Sequence, residues 1–248
     1  MTEEKLEKAA GRLEVSRQLK QKFDHYYDTV REGRPLGAID KVASIISLCG
    51  GYPHGKILEI GCGEGSVLAR MAAVGFGEAL YGLEISRSGV EAVARRGIGP
   101  LVECRVYDGY DIPYPDRSFD LAILTHVVEH LEYPRKLLRE AARVAGYVFV
   151  HVPLQDNFWL PQDYGQKKGG QINVYSQKTI RHLLQSCDLK IVAQEVSNYS
   201  RALHVRWAGQ TTGPLLYWLK RGMLKLMPPV AKRLFTYNSA LLCRSGDS

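Results

Sequence analysis

The chain has 248 residues, 45% of them hydrophobic and 24% charged, which is the make-up of a soluble globular protein with a full core. No apolar run approaches the roughly 20 residues that span a bilayer, so a membrane-spanning helix is excluded. The opening segment MTEEKLEKAA is charged rather than apolar, and we therefore expect no secretory signal.

Five cysteines are widely spaced and lack the CxxC or zinc-ligand pattern, so we expect free thiols and a cytoplasmic setting. The net charge of +7 is concentrated near the C-terminus. From Val196 to Gly246 there is no acidic residue, but there are eight basic ones. They are Arg201, Arg206, Lys220, Arg221, Lys225, Lys232, Arg233 and Arg244.

The N-terminal part of the chain is predicted to be helical. Residues 3–27 form an amphipathic pattern, and a second short helix covers Ile39–Leu48 before the Gly50–Pro53 breaker. Strands and helices then alternate, which favours a doubly wound parallel α/β sheet. The predicted elements are strand Lys56–Ile60, helix Ser66–Val74, strand Ala79–Glu84, helix Ser88–Arg96, strands Leu101–Tyr107 and Phe119–Thr125, helix Pro134–Val144 and strand Tyr147–Val152.

The pattern changes after Pro153. A loop rich in polar and aromatic residues is followed by helix Ser176–Ser186 and strand Lys190–Val196, and Asn238–Cys243 is the last predicted strand. We accordingly divide the chain into five segments. They are an N-terminal helical lid (1–50), a core (51–153), an acceptor-side loop with the sixth strand (154–198), a basic amphipathic insertion (199–234) and a last strand with a tail (235–248).

Open α/β sheets bind ligands at the carboxyl ends of their strands. The first strand ends in Glu59-Ile60-Gly61-Cys62-Gly63-Glu64-Gly65, where glycines allow a sharp turn and close approach to a ligand. The spacing is Gly-x-Gly-x-Gly, whereas a dinucleotide fingerprint needs Gly-x-Gly-x-x-Gly and position 66 is Ser. An acid on the strand before the turn suits a cationic ammonium better than a phosphate.

The next three strand ends also carry polar residues. Glu84 can accept hydrogen bonds from both hydroxyls of a ribose. Asp108 can accept one from an adenine amino group, and Thr125 ends the fourth strand. Ile85 and Gly109, which follow the two acids, are expected to line the same pocket. These residues indicate an adenosine ligand, and Glu84 alone fits NAD as well as S-adenosylmethionine.

Three segments resemble the class I methyltransferases, and within them the type 11 group that includes quinone-biosynthesis methyltransferases. The segments are Ile57–Gly65 (ILEIGCGEG), Asp108–Asp120 (DGYDIPYPDRSFD) and Thr125–Leu131 (THVVEHL), with a weaker similarity at Gln171–Leu184. The resemblance implies a Rossmann-like seven-stranded sheet whose last strand is antiparallel. It also implies S-adenosylmethionine as the cofactor and S-adenosylhomocysteine as the product.

The resemblance further implies which residues line the cofactor. In the N-terminal segment, Phe23–Tyr27 is similar to the helix that covers the cofactor in that group, so Tyr26 is expected to contact it. Two departures from the group are present: Ala145-Gly146 replaces a Gly-Gly turn, and Gln171 stands where His is common. The other expected cofactor residues are Glu59, Gly61, Cys62, Gly63, Gly65, Glu84, Ile85, Asp108, Gly109, Thr125 and His126.

Methyl transfer from a sulfonium requires alignment and water exclusion, and a general base is needed only where the acceptor loses a proton. His126, His151 and His130 lie at or just beyond predicted strand ends and are the candidate bases, although each could also serve only in packing. No Asp or Asn cluster has metal-ligand spacing, so we expect no metal. The loop 155–171 carries Phe158, Trp159 and Tyr164, and it is either a cover for the acceptor or an ordinary surface loop.

The basic insertion has three interpretations. Helix Leu215–Met227 places apolar residues on one side and Lys220, Arg221 and Lys225 on the other, with Trp218 at the boundary. Such a helix could lie on an anionic membrane through 213–233, cover a lipid-like acceptor, or dock on the protein with its basic side solvated. Nucleic-acid binding is disfavoured because no aromatic stacking platform accompanies the charges.

We therefore expect a cytoplasmic or peripherally membrane-bound enzyme that methylates a small molecule on oxygen, carbon or nitrogen. A hydrophobic, lipid-linked or sugar-containing acceptor is favoured by the amphipathic insertion. Two alternatives stay open: an RNA or protein methyltransferase, and a cofactor-binding protein without turnover. No amine clamp follows the fourth strand, where the chain reads Thr125-His126-Val127-Val128, and this counts against base or glutamine methylation.

Overall fold

A computed structural model describes Lys20, residues 33–160 and residues 171–246 of the chain. Apart from Lys20, the predicted helix 3–27 lies outside these residues, and so does Tyr26. The elements are α1 (Gly33–Cys49), β1 (Lys56–Ile60), α2 (Ser66–Ala73), β2 (Ala79–Glu84), α3 (Arg87–Arg95), β3 (Leu101–Val106), β4 (Phe119–Thr125), a 3₁₀ turn (Val128–His130), α4 (Pro134–Val144), β5 (Ala145–Leu154), α5 (Gln177–Gln185), β6 (Leu189–Ser197), α6 (Arg201–Leu226), α7 (Pro228–Leu234) and β7 (Tyr237–Ser245).

The strands form one seven-stranded sheet in the order β3-β2-β1-β4-β5-β7-β6. β1 to β5 are parallel, and β7 runs antiparallel to both of its neighbours, β5 and β6. The predicted seven-stranded sheet with an antiparallel last strand is confirmed. Because strands β1 to β6 all point the same way, their carboxyl ends lie along one edge, and the strand order reverses between β1 and β4 on that edge.

Helices cover both faces of the sheet, as a parallel sheet requires. Successive side chains of β1 point to opposite faces, so Ile57 and Leu58 belong to different core clusters. One cluster includes buried residues of α1 and α2, and the other includes buried residues of α4 and α5. The strand patterns therefore build a doubly wound fold whose ligand edge is left open between the two layers.

Several boundaries differ from the predictions. The helix predicted at Ile39–Leu48 begins earlier, at Gly33. The central strand predicted at Tyr147–Val152 spans Ala145–Leu154, because it pairs with β7 from Tyr147 to Leu154 and with β4 as far back as Ala145. α4 therefore passes directly into β5, which accounts for the missing Gly-Gly turn.

The insertion is more helical than predicted. The helix predicted at Leu215–Met227 is the second half of α6, which begins at Arg201 and is kinked at Gly209 (φ 83°, ψ 172°). Ser200 caps its start by accepting a hydrogen bond from the Leu203 N–H (3.4 Å). At Gly213 an added Cβ would lie 2.6 Å from the His204 carbonyl oxygen, so glycine is what lets the two halves pack closely. Within residues 33–160 and 171–246, no helix is both long enough and apolar enough to cross a bilayer.

Candidate cofactor and acceptor site

The glycine turn after β1 is held by hydrogen bonds within the protein. The N–H groups of Gly61 and Cys62 both donate to the Leu83 carbonyl at the end of β2 (2.7 and 3.0 Å). Gly61 has a φ of 72°, and an added Cβ there would lie 2.7 Å from Val127 Cγ2. Glycine is therefore required at this position by both the backbone conformation and the space available.

Glu84 closes the turn from the side of β2. Its two carboxylate oxygens accept hydrogen bonds from the N–H groups of Gly63 (2.9 Å) and Ser86 (3.2 Å). Burial raises the pKa of this carboxyl group, and the two donors act in the opposite direction. The Ile85 N–H and the Ser86 hydroxyl act on the same carboxyl group, so a ribose would have to share its oxygens with the turn.

Glu59 is the acid on the strand before the turn, and it is only 1% exposed. Its Oε2 atom is buried and has no hydrogen-bond partner among the residues that the structure describes. Burial raises the pKa of Glu59 well above its usual value. A buried oxygen of this kind is costly unless it is paired, and an ammonium group of a bound molecule would satisfy it.

Asp108 follows β3 and organises its own loop. Its Oδ1 atom accepts hydrogen bonds from the N–H groups of Tyr110 (2.9 Å) and Asp111 (2.7 Å). Gly109 has a φ of 100°, which a residue with a side chain rarely adopts. Thr125 is the last residue of β4 and is buried, while Ile85 is half-buried after β2. The expected cofactor residues between 59 and 126 thus follow four adjacent strands at one edge of the sheet.

His126 and His151 lie side by side next to this edge, with their ring centroids 5.1 Å apart. His126 has a φ of 59°, and its N–H donates to the His151 carbonyl (2.9 Å). The His126 side chain is 25% exposed. His151 is 2% exposed and lies inside β5 rather than at its end, because β5 continues to Leu154. Burial lowers the pKa of both imidazoles well below 6.5, so both are neutral at physiological pH.

Glu129 is a site residue that the sequence analysis did not single out. It is fully buried, and its Oε1 atom lies 3.2 Å from Nδ1 of His126. Burial raises the pKa of Glu129 while it lowers that of His126, so burial disfavours the charged form of each group. The spacing of His126 and Glu129 within one turn was the available signal. His130, in the 3₁₀ turn with Glu129, is half-buried.

The remaining expected residues have less defined roles. The Cys62 and Cys104 sulfurs lie 3.7 Å apart and pack over Gly82. Phe158 and Trp159 of the acceptor-side loop are 69% and 73% exposed, and Tyr164 lies outside the described residues. In residues 33–160 and 171–246, no group of His, Cys, Asp and Glu side chains is arranged to hold a metal ion.

Comparison with solved structures supports the fold. The chain aligns with a geranyl diphosphate C-methyltransferase from Streptomyces coelicolor at a TM-score of 0.62 and 13% identity, covering 94% of this chain and all of that one. It aligns with the cyclase SpnF at a TM-score of 0.62 and 18% identity, covering 84% of this chain and 81% of that one. Because the two neighbours catalyse different reactions, the fold alone does not identify the chemistry.

Sequence relatives include three proteins of 30–36% identity. Ajmaline N-methyltransferase of Rauvolfia serpentina is 36% identical over 95 residues (37% of this chain, 32% of that protein). Fatty-acid O-methyltransferase of Mycolicibacterium smegmatis is 32% identical over 130 residues (50% and 46%). An uncharacterized protein of Methanocaldococcus jannaschii is 30% identical over 149 residues (59% and 67%). The chain spans less than half the length of the two enzymes.

The family model described as a methyltransferase domain matches residues 30–194, about two thirds of the chain. This match covers β1 to β5, all of the predicted cofactor residues except Tyr26, and the three candidate histidines. It confirms the predicted resemblance at the level of the family, whereas the type 11 grouping stays a prediction. The chain therefore belongs to the methyltransferase-domain family, whose class I members take their methyl group from S-adenosylmethionine.

Proposed function

We propose that this protein transfers a methyl group from S-adenosylmethionine to a small-molecule acceptor and releases S-adenosylhomocysteine. The observation that carries the proposal is the chemistry of the glycine turn. The N–H groups of Gly61, Cys62, Gly63 and Gly65 all donate to acceptors of the protein itself. They are not available to a pyrophosphate, and the carboxyl groups of Glu59 and Glu84 beside them would repel one. A cationic, phosphate-free cofactor suits this site better than a dinucleotide.

Each site residue is proposed to bind a different part of the cofactor. Glu84 would accept the two ribose hydroxyls, Asp108 the adenine amino group, and Glu59 would pair with the ammonium of the methionyl part. Thr125 would lie beside that same part. Bound S-adenosylmethionine supplies a methyl group that is already activated by the sulfonium. The protein has to align the acceptor with it and exclude water, which is worth about 7–11 kcal/mol.

His126 is the proposed base for acceptors that must lose a proton. Its imidazole is neutral and partly exposed, and its Nδ1 lies beside Glu129, so Nε2 is the atom proposed to face the acceptor. His151 is too buried to meet an acceptor directly, and its effect would pass through the adjacent His126 ring. His130 is proposed to support the 3₁₀ turn.

The proposed acceptor is hydrophobic, lipid-linked or sugar-containing. Two observations support an apolar molecule: the exposed Phe158 and Trp159 after β5, and the names of relatives that methylate a fatty acid and an alkaloid. The same proposal includes peripheral contact of residues 213–233 with an anionic membrane, where an acceptor of this kind would be found.

Calorimetry tests the cofactor. The wild-type protein should bind S-adenosylmethionine and S-adenosylhomocysteine in the micromolar range, and Glu84→Ala should abolish binding. Glu91→Ala is the matched control, because Glu91 lies on the outer surface of α3 with a 68% exposed side chain. Absence of wild-type binding at millimolar ligand would contradict the proposed function.

A labelling experiment tests the acceptor. The protein is incubated with methyl-labelled cofactor and a fractionated lysate, and label should enter the small-molecule or lipid fraction. Label in RNA or protein would instead support the alternative acceptor class, and cofactor binding without any label would support a protein without turnover.

A further inference from the structure

A row of large apolar side chains faces solvent on the C-terminal helices. They recur at helical spacing on one side of α6 and continue into the corner before α7. Leu215 is 72% exposed and Leu226 is 79% exposed. On most protein surfaces exposed leucines are isolated, whereas these two belong to a row of exposed apolar side chains. We call this surface the apolar ridge, and it consists of Leu215, Trp218, Leu219, Leu226 and Met227.

The buried side of α6 explains why the ridge faces outward. Lys220 is 7% exposed, and its Nζ donates a hydrogen bond to the Thr236 carbonyl (2.8 Å). The rings of Tyr199, Phe235 and Tyr237 surround its ammonium at 5.1–5.9 Å. These contacts fix the rotation of α6 about its axis. Of the basic side that was expected in solvent, Arg221 and Lys225 are exposed, whereas Lys220 is buried.

Positive charge borders the ridge. Arg221 and Lys225 are exposed next to it on α6, and Arg233 is exposed at the end of α7. The Arg221 guanidinium lies 5.8 Å from the Trp218 ring. No acidic residue occurs between Val196 and Gly246. The surface thus combines apolar side chains, a tryptophan and exposed cations, two of which share a cleft with Asp40 and Glu195. Apolar and aromatic side chains bordered by cations are the composition of a helix that lies in a membrane interface.

We infer that the apolar ridge is a docking surface for an anionic lipid bilayer, with α6 lying in the interface plane. Leucines and Trp218 would enter the acyl boundary, while Arg221 and Lys225 would pair with lipid phosphates. A second copy of the chain fits less well, because its identical cations would repel these. The inference rests on the proposed membrane contact, but it does not depend on methyl transfer.

The ridge is also joined to the acceptor side of the site. The Phe158 N–H donates to the Arg233 carbonyl of α7 (3.0 Å), and the Asn157 side-chain amide donates to the Thr236 hydroxyl (3.2 Å). These bonds tie the exposed Phe158 and Trp159 to the same helical unit as the ridge. Docking would therefore bring Phe158 and Trp159 to the lipid surface, and an acceptor could move from the bilayer to the site.

Vesicle flotation tests the inference on the full chain. The wild-type protein should float with vesicles of phosphatidylcholine and phosphatidylglycerol and much less with phosphatidylcholine alone. The double variant Leu215→Ser and Leu226→Ser should bind about tenfold more weakly or worse, because two apolar anchors are lost. Arg221→Gln and Lys225→Gln should each weaken binding about fivefold. Val102→Ser is the control, since Val102 is 60% exposed on β3 at the opposite edge of the sheet.

The outcomes separate the possible occupants. Loss of flotation in the ridge variants, with cofactor binding retained in calorimetry, supports the inference. Absence of wild-type flotation overturns it. It is also overturned if the wild-type protein floats equally well with neutral and anionic vesicles, or if Val102→Ser and the ridge variant float to the same extent. A wild-type dimer in analytical ultracentrifugation that the double variant converts to a monomer would overturn it in favour of self-association. None of these results depends on finding the methyl acceptor, so they are distinguishable from failure of the proposed function.

Discussion

Different kinds of interaction hold the carboxyl edge of β1 to β4 and the helical insertion α6–α7 in place. At the carboxyl edge, each polar group is positioned by contacts with strand ends and the turns that follow them, such as the bond from Gly63 to Glu84. In the insertion, one buried ammonium decides which side of a long helix faces water. The first region can be interpreted from local spacing, whereas the second depends on residues from the segment after β6 and the segment that leads into β7.

This difference has a functional meaning. A cofactor site has to hold one molecule in one geometry, and short turns between rigid strands do so reliably. A surface that binds a lipid bilayer needs only exposed apolar area and positive charge, because the lipids adapt their positions to it. Changes in the first region should therefore be severe and local, while changes on the apolar ridge should leave folding intact.

The largest effect is expected at His126. For an acceptor that loses a proton, His126→Asn should lower kcat about 10²- to 10⁴-fold, because the proposed base is removed. Asn tolerates the left-handed backbone at this position, so the turn is retained. Since burial lowers the pKa of His126, the wild-type rate should stay on its plateau at pH values below 6.5. His182→Asn on the surface of α5 is the control, and equal rates in the two variants would remove His126 from the mechanism.

The glycine turn is expected to show the next largest effect. Gly61→Ala should lower the free energy of unfolding by about 2–5 kcal/mol and weaken cofactor binding, because a Cβ would meet both an unfavourable φ and Val127. Gly75→Ala has nearly the same φ, 68° against 72°, but open space around its Cβ. It should cost only about 1–2 kcal/mol in urea denaturation. Equal costs for the two variants would show that the close approach of Val127 is unimportant.

Because of Lys220, the free energy of unfolding should depend on pH. Burial lowers its pKa to about 8 from its ordinary 10.5. The unfolded chain consequently binds more protons than the folded one between these values, and the free energy of unfolding should rise with pH across that window, by about 3 kcal/mol. Lys220→Met should lose this rise. Urea denaturation at several pH values measures the slope, with Lys190→Met on β6 as an exposed control that should keep it.

The apolar ridge should contribute least to folding. Leu226→Ser should change the free energy of unfolding by no more than about 0.5 kcal/mol, because the side chain is 79% exposed. Leu203→Ser, at a buried position of the same helix, should cost several times more. A large loss of stability in Leu226→Ser would mean that the ridge is packed against the protein, and the membrane inference would fail with it.

Much of the core could be predicted from the chain alone. The short apolar runs at Lys56–Ile60, Ala79–Glu84 and Phe119–Thr125 matched the observed strands residue for residue, because strands bounded by turns and buried on both faces are strongly patterned. The glycine spacing and the acids that follow the strands also indicated the ligand edge. The backbone conformation of the turn is a local property, so local sequence was sufficient there.

Tertiary structure alone decided three other features. It extended β5 to Leu154 through pairing with β7, which placed His151 inside the strand. It buried the Glu129 carboxyl group completely while it left the neighbouring His126 side chain partly exposed. It also turned Lys220 inward. Helical periodicity defines the faces of α6 but not the direction in which either face points, and the aromatic rings that surround the ammonium come from Tyr199, Phe235 and Tyr237, which lie outside that helix.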